Sequence, residues 1–339
     1  LQIPQPPDNS MVDARSIDLT SGQLMFDLTP LTIGTAGNGL NHTLYFPGLY
    51  GFRHEQMITA QIDDYNQTGI HVTIAFGKEK TGFTWQTSAY VSDKGDGATL
   101  TLVGSNPATA YIYTDRNGVA YTLDRTQGSN YNYANTTNYY GSIDAIATVI
   151  ARPDGYKTRL TYKKGTYFYS GYGNVYPVRL QSAVTSTGYQ LKFGYQSNTL
   201  SQATANAWQT FGQVTAINNA VDYCDPAADT CSGFTQTWPS VSYSSTVSGT
   251  DTIISITDPV SRTGAYRLDS SGRITGFRRP GSGSDTTTYG YYTNSSAISS
   301  VALANIGTWT YSFSLSVPFH SALYTQLPES CRLVGLSER

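Results

Sequence analysis

Hydrophobic and polar residues alternate along most of this chain. In "HVTIAFG" (71–77), Val72, Ile74 and Phe76 fall on one side and His71, Thr73 and Ala75 on the other. In "GYQLKFGYQ" (188–196), Tyr189, Leu191, Phe193 and Tyr195 alternate with Gln190, Lys192, Gly194 and Gln196. "ATLTLVG", "SVSYSS" and "TIISITD" follow the same period of two, which predicts strands with one apolar and one wet face. Helical periodicity is nearly absent. "SQATANAWQTFG" (201–212) is the best helix candidate, and its Thr, Asn and Gly weaken it. With strands of ordinary length the turn signals predict about 25 of them. The fold class is all-β, an extended array of β-hairpins.

The turns share a chemistry. "DRNG" (115–118), "PDG" (153–155) and "DSSG" (269–272) each close on Gly, with Asp one to three residues before it. Asp accepts backbone hydrogen bonds within such a turn, and Gly takes the positive φ that completes it. Aligned on that Gly, "YTDRNGVAYTLDR", "ARPDGYKTRLTYKKG" and "YRLDSSGRITGFRRPG" form a degenerate repeat with irregular spacing.

These segments resemble the Rhs/YD-repeat family of bacterial proteins. "TDPVSRTGAYRLDSSGRITGF" is similar to a repeat unit of the form Asp-Pro-x-x-Arg, strand, Asp-x-x-Gly-Arg, strand, and "TTTYGYYTNSSAISSVALANIGTWTYSFS" to a looser one. "VDARSIDLTSGQLMFDLTPLTIG" resembles the start of such a region, and "VRLQSAVTSTGYQLKFGYQSN" is also similar to it. The literal Tyr-Asp dipeptide occurs nowhere. "PQPPDN" makes 1–11 an extended leader, and 315–339, where alternation stops, reads as a tail; the resemblance itself implies a YD-repeat-like β-domain over 12–314. It also implies a spiral of strands forming a shell wall, which in several relatives surrounds a C-terminal toxin released at paired Asp-Pro motifs. Asp258-Pro259 fits the repeat itself, and no matching pair stands near the C-terminus, so the expectation is the N-terminal portion of a shell.

Composition agrees with an extracellular, cell-surface or periplasmic setting, and the resemblance with a bacterial one. Of 339 residues only 13% are charged, about half the usual share, while Tyr (27) and Gly (32) are abundant. The net charge of −2 gives no footprint for nucleic acid, and no apolar run reaches the length of a membrane span. Cys224 and Cys231 in "YCDPAADTCSG" lack the second pair or nearby histidines that zinc requires. A disulfide is the preferred reading, worth about 2.5 kcal/mol on the chain-entropy model. It would place the protein in an oxidising compartment. Cys331 is left over.

His42, His54, His71 and His320 form no metal-spaced pair and are expected at the surface or at strand edges. "SDKGDG" (92–97) offers oxygens to a hard cation but reads more simply as a hairpin turn. No motif calls for a cofactor or a metal. The tyrosines leave two readings open. Tyr131, Tyr133, Asn135, Tyr139 and Tyr140 in one segment, with Tyr167, Tyr169 and Tyr172 in the next, suit a glycan-binding surface. Equally, they suit aromatic ladders between strands. Two functions follow: a non-enzymatic shell or fibre that self-associates through sheet edges, or a carbohydrate-binding adhesin.

Overall fold

The computed structural model describes residues 12–35, 37–46, 53–62, 71–77, 79–104, 109–128, 145–170, 173–315 and 331–333. The expected leader (1–11) and most of the expected tail lie outside these residues, as does His320. By its internal contacts the chain forms two compact units. The first comprises Leu1–Gln5, Thr29–Thr43 and His54–Ser242, and the second Pro6–Leu28, Leu44–Arg53 and Tyr243–Arg339.

The architecture is all-β. Strands β1 (Phe26–Ile33), β2 (Leu40–Phe46) and β3 (Arg53–His54) form a small sheet in that order. The main sheet of the first unit begins with β4 (Thr59–Ile62), β5 (His71–Phe76), β6 (Glu79–Gln86) and β7 (Ala89–Ser92). It continues through β8 (Thr99–Val103), β9 (Ala110–Thr114), β10 (Ala120–Asp124), β11 (Ala145–Ala151) and β12 (Lys157–Lys164). Its strand pairings are antiparallel and mostly join neighbours in sequence. One is not local: the start of β11 pairs with β4 through Ala145↔Ala60 and Ile146↔Thr59, so the run from β4 to β11 returns on itself.

A two-stranded hairpin, β13 (Tyr167–Tyr169) and β14 (Gly173–Val175), then interrupts the sheet. The sheet resumes with β15 (Val178–Thr185), which pairs β12, and β16 (Tyr189–Tyr195). The predicted helical stretch yields one short helix, α1 (Ala205–Gln209), whose Trp208 is buried. Strands β17 (Phe211–Asn218) and β18 (Ser240–Ser248) follow. The second unit holds the meander β19 (Asp251–Thr257), β20 (Thr263–Leu268), β21 (Ile274–Arg278), β22 (Thr287–Tyr291), β23 (Ile298–Leu303) and β24 (Gly307–Thr310). A short pair, β25 (Phe313–Leu315) with β26 (Cys331–Leu333), completes the described strands and places Cys331 in β26.

Alternation explains most of the core. Val72 and Ile74 of β5 are buried while His71 and Thr73 are half-exposed. Register then brings aromatic rings together: Tyr113 faces Tyr121 across β9 and β10, their rings stacked at 5.5 Å. In the second unit Tyr266 faces Phe277 across β20 and β21 at 4.9 Å. Such pairs add to the area they bury.

One turn recurs. At Asp13–Ile17, Asp115–Val119, Asp258–Arg262 and Asp269–Arg273 the first N–H donates to the fifth carbonyl, and the fourth N–H to the first carbonyl. In each, the aspartate Oδ1 accepts from the third and fifth N–H. The fourth residue is left-handed: Ser16 (φ 64), Gly118 (φ 81), Ser261 (φ 64) and Gly272 (φ 77). This is a three-residue hairpin loop whose fourth position favours glycine. Arg152–Tyr156 has the same backbone bonds, with Gly155 at φ 87 and Asp154 accepting from the Tyr156 N–H.

Candidate functional site

The alternating pattern of β16 predicts a wet face at Gln190 and Lys192, yet both are buried, at 0% and 5% exposure. The cover over Lys192 is the loop between Cys224 and Cys231. These cysteines are disulfide-bonded, as their spacing suggested, and the loop lies over β12, β15 and β16 of the same unit.

Beneath it is a compact polar cluster. Asp229, inside the disulfide loop, accepts from Lys163 Nζ at 2.8 and 2.6 Å, Arg179 at 3.0 Å and Gln181 Nε2 at 2.8 Å. Lys163, near the end of β12, faces Arg179 of β15 in register. The Arg179 side chain is 1% exposed. It donates also to the carbonyls of Ser197 and Trp208 and to Asn198 Oδ1, and its guanidinium lies between the rings of Tyr195 and Trp208, at 4.4 Å from each. Lys192 Nζ donates to the loop carbonyls of Asp225 and Pro226.

Electrostatics follow burial. Removal from water draws the Lys192 ammonium down to about 8 despite the nearby carboxylates. For Asp229 partial burial opposes the charged form, but hydrogen bonds from Lys163 and Gln181 and the charges of Lys163 and Arg179 outweigh it. Its carboxyl is held below the usual carboxylate range. A buried guanidinium with one carboxylate partner is a high-stakes arrangement, since loss of that partner leaves a charge with nothing to balance it.

The expectation of surface histidines is overturned for two of the four. His42 (β2) and His54 (β3) are fully buried, their rings stacked at 4.9 Å. The edge of Phe193 meets both rings and Phe211 meets His42. Burial lowers the imidazole of His42 to about 3. That of His54 is pushed well below its ordinary value by burial and then by His42. Adjacent strands carry these residues inward together, which their separate positions in sequence do not reveal. His71 is half-exposed and pairs with Asp93 at 2.9 Å. The "SDKGDG" segment is a turn in which Asp96 accepts from Ser92 Oγ and the Ala98 N–H. Among the described residues no group of three or more His, Cys, Asp or Glu is placed to hold a metal ion, and no helix is long and apolar enough to cross a membrane.

Of the tyrosine surface, Tyr131, Tyr133, Asn135, Tyr139, Tyr140 and Tyr172 lie outside the described residues. Tyr167 and Tyr169 lie on β13, ring to ring at 6.5 Å, with Phe168 between them 66% exposed. Other tyrosines are used between strands. Tyr162, Tyr195 and Tyr291 donate their hydroxyls to the carbonyls of Ala147, Leu180 and Ile274. A half-buried ring with a satisfied hydroxyl is structural, and it accounts for part of the aromatic surplus.

No family model matches the chain, and no curated protein matches it. Among solved structures it is similar to a chain in the crystal structure of TcdB2-TccC3, with 12% identity and a TM-score of 0.44, over 81% of this chain and 16% of that one. For TcdB2-TccC3-Cdc42 the values are 12% identity and 0.44, over 89% and 19%. For the Photorhabdus luminescens Tc holotoxin pore they are 12% and 0.42, over 80% and 16%. The chain thus spans less than a fifth of the length of each of these chains. A likeness this loose carries no functional argument.

Proposed function

We propose that this chain is a non-enzymatic structural protein: a β-repeat wall, part of a shell or fibre, that encloses or presents a partner and associates with copies of itself. The observation that carries the reading is the single recurring turn, Asp-x-x-Gly or Asp-x-x-Ser, present in both units with the same backbone bonds and the same aspartate bonding. A sheet that grows by adding hairpins of one kind extends by the same pairing rules at every step, and a strand left unpaired at an edge would invite continuation by another copy. The Cys224–Cys231 disulfide supports an extracellular, cell-surface or periplasmic location.

The test is a concentration series of purified protein, followed by light scattering and negative-stain electron microscopy. Filaments, rings or hollow particles that grow with concentration are expected. Compact monomers throughout would overturn self-association. The exposed aromatic hairpin at Phe168 and Tyr169 would then be screened against glycans as the alternative, an adhesin.

A further inference from the structure

We infer that the Cys224–Cys231 loop is a redox-operated latch: intact, it holds Asp229 against the buried Arg179, and its reduction by a dithiol releases that carboxylate and loosens β12, β15 and β16. The inference stands apart from the shell reading, since it concerns the first unit alone.

The geometry is specific. Asp229 sits two residues before Cys231, in a stretch without strand or helix. Its carboxylate joins three side chains from two strands, Lys163 of β12 and Arg179 and Gln181 of β15. Arg179 cannot shed its proton to escape burial. Its other partners, the carbonyls of Ser197 and Trp208 and the amide of Asn198, are neutral, so Asp229 supplies the charge that balances it. Bracketing the disulfide, Asp222 accepts from the N–H and hydroxyl of Thr235 and from Trp238 Nε1. The segment therefore stays tethered outside the disulfide, and the part that reduction frees is the part carrying Asp229.

The chemistry balances. Cys224 is buried and Cys231 half-exposed, so a thiolate of the dithiol attacks Cys231 Sγ. The S–S bond breaks, and Cys224 Sγ leaves with the electron pair and takes up a proton. The second thiolate attacks the mixed disulfide, Cys231 departs as a thiol, and the reductant ends as its own disulfide. Two electrons pass to the protein. The freed loop regains conformational freedom, and holding Asp229 in place now costs that entropy.

Hydrogen exchange read by mass spectrometry, with and without a dithiol and with thiols counted in parallel, tests the latch. On reduction, amides of β15 (Val178–Thr185) are expected to lose protection by about tenfold or more. Oxidised Asp229→Asn should lose much of that protection already, and reduction should add little to it. The double change Cys224→Ser with Cys231→Ser should match reduced wild type without any reductant, which keeps the test sound if Asp229→Asn does not fold. Unchanged protection of β15 after two additional thiols appear would overturn the inference. So would full protection in oxidised Asp229→Asn, or a disulfide that the dithiol fails to open.

Discussion

His42 and His54 put two titratable rings where water does not reach, and the consequence is acid sensitivity. Burial lowers His42 to about 3 from an unfolded value of 6.5. Between those values the unfolded chain binds a proton that the folded one refuses. Stability is therefore full above the unfolded value and is lost as pH falls towards the folded one. Urea unfolding from about pH 7 to about pH 4 should show this loss, and His42→Phe should reduce its slope by up to about 1.4 kcal/mol per pH unit. An unchanged slope would mean that His42 is protonated in the fold. The pair was not legible in sequence because its meaning is pairwise: each histidine alone resembles a strand-edge residue, and only the stacking of β2 beside β3 makes both of them core. Lys192 misled for a related reason. Local alternation puts it on a wet face, and a loop more than thirty residues away covers that face.

Among the elements, the hairpin turn is the part most readable from sequence, because its bonds lie within five residues. "DSSG" declares both the aspartate and the left-handed glycine, and the structure places them as expected. "DPVS" hides the same turn, since Ser261 occupies the glycine position at φ 64. Asp258 and Arg262 nevertheless repeat the contacts of Asp269 and Arg273, including the arginine Nε to the second carboxylate oxygen at 2.7 and 2.8 Å. A left-handed backbone costs a side chain roughly 1–2 kcal/mol, offset in part by glycine's greater freedom when unfolded. Ser261→Gly should therefore stabilise the protein by about 0.5–1 kcal/mol, and Gly272→Ala should destabilise it by about 1 kcal/mol. Chemical denaturation measures both. Equal and like-signed shifts would show that the two turns are not versions of one design.

At the scale of the molecule, the all-β class and the hairpin array follow from local pattern, whereas the contacts that close distant segments do not. Most pairings join neighbouring strands, a topology in which hairpins form at little loop-closure cost. The second unit adds a tie across nearly the whole chain. Gln23 bridges Ala297, the Ile298 N–H donates to the Gly22 carbonyl, Arg15 lies 3.8 Å over the Trp309 ring, and the Tyr311 hydroxyl donates to Asp13 at 2.7 Å. In sequence "VDARSIDLTSG" reads as the opening of a repeat region, and nothing local names its partner. Here the same aspartate that caps a turn also receives Tyr311, so the recurring turn serves as a clasp. Because a contact of this span is the costliest to close, it should be weak to perturbation at either end. Tyr311→Phe, which removes one charged-acceptor hydrogen bond, should cost about 1.5–3 kcal/mol. Removing residues up to Leu24 should raise hydrogen exchange along β23 and β24, most at Ile298, whose N–H loses its acceptor. If protection there survives the truncation, the second unit is held by its meander alone and the N-terminal turn is an accessory to it.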